Sequence, residues 1–173
     1  MKDTRLQGRV WMLRDDSGVL IDDIDTDMIF HNQYLHITDI DEMGQYTLDN
    51  LTGWEDFAER AEPGDIVVAG ENFGSGSSRQ QAVDCFISLD IQALIAKSFG
   101  AIYKRNAINS GLPVLTGEMP DDLENSDVVT IDLESGTITM KDETVAELEP
   151  ISEVQLDIYH AGDLFAYART LEE

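Results

Sequence analysis

At 173 residues, 42% of them apolar, the chain has enough material for one buried core. Its 35 acidic and 11 basic residues leave a formal net charge of −24, which repels phosphate backbones and argues against nucleic acid as a partner. No apolar run reaches the roughly 18 residues of a membrane span, the N-terminal MKDTRLQGRVW lacks a signal-peptide core, and the single cysteine, Cys85, excludes an intramolecular disulfide; a cytoplasmic chain with a solvated acidic surface is expected.

In chain order, GRVWMLRD (8–15) reads as a first strand, turned by DDSG (15–18). VLIDDIDTDMIF (19–30) is an apolar run interrupted by four aspartates, of which Asp22, Asp23 and Asp25 read as turn residues and solvated charge because no calcium-loop pattern surrounds them. Residues 31–62 are irregular, with Trp54, Phe57 and Ala58 on one helical face. PGDIVVAG (63–70) feeds a buried strand, Ser78–Leu89 has helical period, and IQALIAKSF (91–99) reads as a second buried strand of a parallel sheet. A short helix over 100–111 ends at Gly111, and LPVL makes a short strand. After the polar GEMPDDLENSD, the segments VVTIDL, GTITMKD and TVAELEP form an antiparallel meander turning at Glu134-Ser135-Gly136. A helical tail is divided at Gly162. The fold class is α/β, a single domain over 1–173.

The chemistry concentrates in GENFGSGSSRQQ (70–81), between a buried strand and a helix. Unpaired N–H groups at a helix start attract anions, Gly74 and Gly76 allow positive φ and close approach, and Ser77 or Ser78 suits the N-cap. Arg79 in a first helical turn opposes the helix dipole, so a bound anion explains it better than helix stability does. A small carboxylate is the expected ligand. Nucleotide loops fit poorly: no Gly-Lys-Ser/Thr ends the segment, and GSGSSR lacks the third glycine of a dinucleotide fingerprint.

GENFGSGSSRQQAV, with IAKSFGAIYKRNAINSGLPVL after it and IDDIDTDMIF…QYL before it, resembles the small subunit of 3-isopropylmalate dehydratase and its relatives in the aconitase superfamily. The matching blocks cover about residues 19–37 and 65–115. The resemblance implies a swivelling β/β/α domain, a mixed sheet core with C-terminal meander and helices, that closes over a separate large subunit. That large subunit would hold a [4Fe-4S] cluster, this chain binding no cofactor and no metal. Together they would dehydrate and rehydrate a substituted malate, as in leucine biosynthesis, and the small chain would be inactive alone. Ser77 matches the base, Ser78 and Arg79 the carboxylate binders, and Thr26 and Asp27 a pair lining the same site.

Two departures are visible. Gln80-Gln81 replaces the Glu-His or Glu-Gln common after the arginine of relatives, exchanging a carboxylate for an amide. The specificity loop, about residues 31–45, carries Leu35-His36-Ile37 where relatives often place a basic residue. Leu35 and Ile37 favour an apolar substituent, as in isopropylmalate or dimethylmalate, while His36 reads as a loop histidine facing water. Lys97, Lys104, Arg105 and Asn106 also match family positions and receive no catalytic role; they are candidate contacts to the large subunit. Cys85 reads as core. Citramalate or homoaconitate as substrate, a non-catalytic small-acid-binding domain, and self-association of the isolated chain stay open.

Overall fold

A computed structural model describes all residues, 1–173. The N-terminal strand β1 (Arg5–Met12) is followed by three single-turn helices, α1 (Thr26–Ile29), α2 (Ile40–Met43) and α3 (Phe57–Arg60). An alternation of strand and helix follows: β2 (Ile66–Ala69), α4 (Gln81–Ser88), β3 (Ala93–Ala96), α5 (Ala101–Asn109) and β4 (Val114–Thr116). The meander β5 (Val128–Asp132), β6 (Thr137–Met140) and β7 (Val145–Glu147) precedes the terminal helices α6 (Glu153–Ala161) and α7 (Leu164–Leu171).

All seven strands form one mixed sheet in the order β4-β3-β2-β1-β5-β6-β7. The half from β4 to β1 is parallel and the half from β1 to β7 antiparallel, so β1 is the seam. Parallel neighbours need crossovers, which α4 and α5 supply. Side chains alternate across the sheet: Val67 and Ala69 of β2 join a core with Trp11, Leu94 and the residues of α1–α5. Ile66 and Val68 join the other core, with Ile95, Ile131, Ile138 and Leu148. Burial of both faces explains why IVVA and ALIA are uninterrupted apolar runs.

β1 lies three residues earlier than its sequence signal. Its polar beginning is held by pairing Arg5–Arg9 with Asp132–Val128, while Val10–Met12 pairs with Ile66–Val68. Trp54 and Phe57 are buried as expected, but only Phe57–Arg60 is helical, between Gly53 (φ 90°) and Pro63. α5 ends as read: the Gly111 N–H donates to Ile108 and the Leu112 N–H to Ala107, a Schellman closure made possible by φ +78° at Gly111. Gly162 separates α6 from α7, and no helix is long and apolar enough to cross a membrane.

Beneath the sheet seam lies a buried carboxylate. Asp65 is 2% exposed and accepts from Arg9 Nε (3.0 Å) and Nη2 (2.8 Å), Trp11 Nε1 (2.7 Å) and the Glu62 amide (2.8 Å). Burial alone would raise its pKa, but these donors, Arg9 foremost, hold it below the usual carboxylate range. Asp65 thereby ties β1 to the turn before β2.

Candidate active site

The loop after β2 is anchored from two sides. Along one, Gly74 N–H donates to the Ile24 carbonyl (2.7 Å) and Thr26 N–H to the Ser75 carbonyl (2.9 Å), so the aspartate-rich segment runs beside the loop as a short parallel strand pair. Along the other, Tyr103 of α5 packs under Gly74: a Cβ there would lie 2.2 Å from the Tyr103 ring. Gly74 also has φ +80°, so this position requires glycine on both counts. Tyr103 is itself fixed, its hydroxyl donating to the Ala82 carbonyl at 2.7 Å.

The helix begins later than its periodicity suggests. α4 starts at Gln81, and its N-cap is Gln80, in helical conformation and without a side-chain capping bond. Ser77 and Ser78 therefore do not cap the helix, and Arg79 precedes its first turn. The physical reason is the pull on Arg79, whose Nη1 donates to the Phe30 carbonyl (2.6 Å), Asp27 Oδ1 (3.1 Å) and the Thr26 carbonyl (3.4 Å). These bonds draw the chain toward α1 before it can coil. From Ser75 to Gln81 no backbone N–H finds an acceptor within the chain. The donors available to an anion are thus loop amides, more numerous than a helix start alone would present.

Arg79 is pre-aimed. Its side chain is only 11% exposed, and all three of its contacts use Nη1. The Nε–Nη2 edge makes no hydrogen bond in the chain; this is the side-on pair of donors that a carboxylate or phosphate accepts. Asp27 orients the guanidinium from the other side. Burial opposes ionisation of Asp27, but the Asn32 amide and then Arg79 keep its pKa below the usual carboxylate range. Ser77 and Ser78, which directly precede Arg79 in the chain, are exposed.

The remaining expected residues divide. Thr26 is 3% exposed and its hydroxyl donates to the Ser77 carbonyl at 2.9 Å, so it supports the loop from below rather than lining the open face. Asp27 lies at the site but is engaged by Arg79. Leu35 (40% exposed) and His36 face solvent, whereas Ile37 is partly buried and packs against the core. Gln81 Nε2 donates to the Leu35 carbonyl at 3.1 Å, tying the 31–45 segment directly to the head of α4. Gln80 uses Nε2 twice, toward Ser110 Oγ (2.7 Å) and Asp84 Oδ1 (3.0 Å). A glutamate at 80 would meet the Asp84 carboxylate there, so the amide is the fitting partner. Asn106, given no role from sequence, donates to Ser78 Oγ at 3.2 Å. Its signal was present in the matched block, but only the fold shows the contact. Lys97 and Arg105 are exposed and, with Lys104, form no ion pair.

None of the five principal cavities is lined by Ser77, Ser78 or Arg79. The site is an open face. An iron–sulfur cluster does not fit this chain's own residues: no group of three His, Cys, Asp or Glu side chains is placed to hold a metal, and Cys85 is fully buried, its thiol pushed up to about 12 by that burial.

Comparison with known proteins decides the family. The family model for the aconitase C-terminal domain matches residues 19–119, more than half the chain and inclusive of both the aspartate-rich segment and the loop. A 3-isopropylmalate dehydratase small subunit of Archaeoglobus fulgidus is 39% identical over 169 residues, covering 96% of this chain and 98% of that one. The chain belongs to the 3-isopropylmalate dehydratase small-subunit family of the aconitase superfamily. Within that small-subunit family, a methanogen homoaconitase small subunit of Methanothermobacter thermautotrophicus is 37% identical over 169 residues, covering 96% of this chain and 93% of that one. The crystal structure of a 3-isopropylmalate dehydratase from Methanocaldococcus jannaschii has the same fold, with a TM-score of 0.84 and 35% identity over 97% of this chain and 95% of that one. The seven-stranded mixed sheet is therefore the small-subunit fold, and the relatives are subunits of aconitase-family lyases.

Proposed function

We propose that this chain is the small subunit of a two-chain hydro-lyase that interconverts substituted malates by dehydration and rehydration. The supporting observation is the juxtaposition of exposed Ser77, the free Nε–Nη2 edge of Arg79 and the unpaired amides of Ser75–Gln81 on an open face. In this reading Ser77, as the alkoxide, takes the proton from the carbon next to a carboxylate while the hydroxyl leaves the adjacent carbon. Arg79 binds that carboxylate side-on and stabilises the charge that grows on it as the C–H bond breaks. The loop amides stabilise the Ser77 oxyanion. Rehydration at the other carbon returns the proton from Ser77. A [4Fe-4S] cluster held by the large subunit would act as the Lewis acid that takes up the leaving hydroxyl, while this chain supplies the base and the carboxylate binders.

Exposed Leu35, in the loop that Gln81 ties to α4, supports a branched aliphatic substituent. Homoaconitate is the alternative, since one relative is a homoaconitase small subunit. Co-expression with a candidate iron–sulfur large subunit, followed by assay of 3-isopropylmalate, dimethylmalate, citramalate and homoaconitate, tests the function. Turnover of isopropylmalate or dimethylmalate above the tricarboxylate is expected. A pair that assembles with an intact cluster yet turns over none of the four contradicts it.

A further inference from the structure

Two side-chain contacts join α5 and the residue after it to the loop. Asn106 donates from Nδ2 to the Ser78 hydroxyl oxygen at 3.2 Å. One turn further, Ser110 donates its hydroxyl proton to the Asn106 backbone carbonyl at 2.8 Å and accepts from Gln80 Nε2 at 2.7 Å. Gln80 Nε2 also donates to Asp84 Oδ1 at 3.0 Å. Gln80 thus fills the acceptor side of Ser110, which leaves the Ser110 proton for the helix carbonyl. Asn106 does the same to Ser78.

A serine hydroxyl has one proton and two lone pairs. At Ser78 one lone pair is occupied from the protein side by Asn106, and the proton has no acceptor within the chain. The side chain is exposed beside Arg79. A carboxylate offers acceptors only, so Ser78 is useful to it solely as a donor. Were the Asn106 side chain to present an oxygen, it would take the Ser78 proton and turn lone pairs toward the anion.

We propose that Asn106 is a positioning residue that fixes the Ser78 hydroxyl as an outward donor to the substrate carboxylate. This assignment rests on the function proposed above. Asn106 acts through Ser78 and does not touch substrate itself.

The test combines steady-state kinetics of the co-expressed pair on 3-isopropylmalate with NMR of the full ¹⁵N-labelled chain. Asn106→Ala removes one neutral hydrogen bond and is expected to raise KM about fivefold with kcat within about twofold. Asn106→Asp reverses the polarity at constant shape and adds charge, so KM should rise by more than about tenfold. In a Ser78→Ala background, Asn106→Ala should add no further loss. A further loss as large as in the Ser78 enzyme overturns the proposal, because it shows a structural effect on α5. In the isolated chain the Asn106 side-chain amide resonances should move on Ser78→Ala, and unmoved resonances overturn the contact whatever the activity. A wild-type pair inactive on every substituted malate overturns the function and the KM assignment with it. An active pair with uncoupled Asn106 and Ser78 overturns the positioning role alone.

Discussion

At the scale of single residues, the site is built by taking away alternatives. Arg79 Nη1 is engaged by Phe30, Asp27 and Thr26, which leaves one edge of the guanidinium for a ligand. Lysine cannot keep those contacts and also offer a two-pronged edge. Arg79→Lys should lower kcat/KM by about 10- to 100-fold, with kcat falling as well as KM rising, because the same edge binds the carboxylate and stabilises the charge that grows on it. An unchanged kcat/KM would contradict the carboxylate role. Arg79 was legible from sequence because an arginine near a helix start opposes the helix dipole and so points to a bound anion. The role of Thr26 was not, since it depends on a contact to a residue 51 positions away. The packing of Ile37 was not legible either: an apolar loop residue carries no local sign of the core it leans on.

At the scale of elements, the buried strands and α5 could be read directly because complete burial and a Schellman glycine leave local signatures. The start of α4 and the register of β1 could not, because each is set by distant partners: Arg79 bound to the α1 region, and Arg5–Arg9 paired with β5. Asp65 is the clearest element-scale device, a buried carboxylate clamping β1 to the β2 turn. Its pKa is depressed in the fold, so its stabilisation is fully present above the unfolded value of about 4 and is lost as pH falls through the lower folded value. Asp65→Asn leaves Arg9 without its charged partner and should cost about 3 kcal/mol at pH 7 by urea denaturation. The loss should shrink toward pH 3, where the wild-type carboxyl begins to take up its proton. A penalty that is constant or grows with acidification would show that the carboxylate charge is irrelevant to the clamp.

At the scale of the whole molecule, the net charge of −24 is a property that composition states and the fold does not cancel, since only Arg9, Arg60 and Arg79 form ion pairs. Self-repulsion across the surface should be relieved by salt: between about 0.01 M and about 1 M ionic strength the Debye length falls from ~30 to ~3 Å. About 2 kcal/mol of relief would raise Tm by roughly 4–8 °C. A flat or falling Tm over that range would remove surface repulsion as a term in stability. Against this field Arg79 and the loop amides make a local exception, and they do so on an open face that a second chain can cover. The most direct measurement is Ser77→Ala in the co-expressed pair, assayed on 3-isopropylmalate after complex formation has been confirmed by gel filtration. The account predicts an assembled complex whose kcat is lower by at least about 100-fold, with KM little changed. Full turnover by that complex would contradict it.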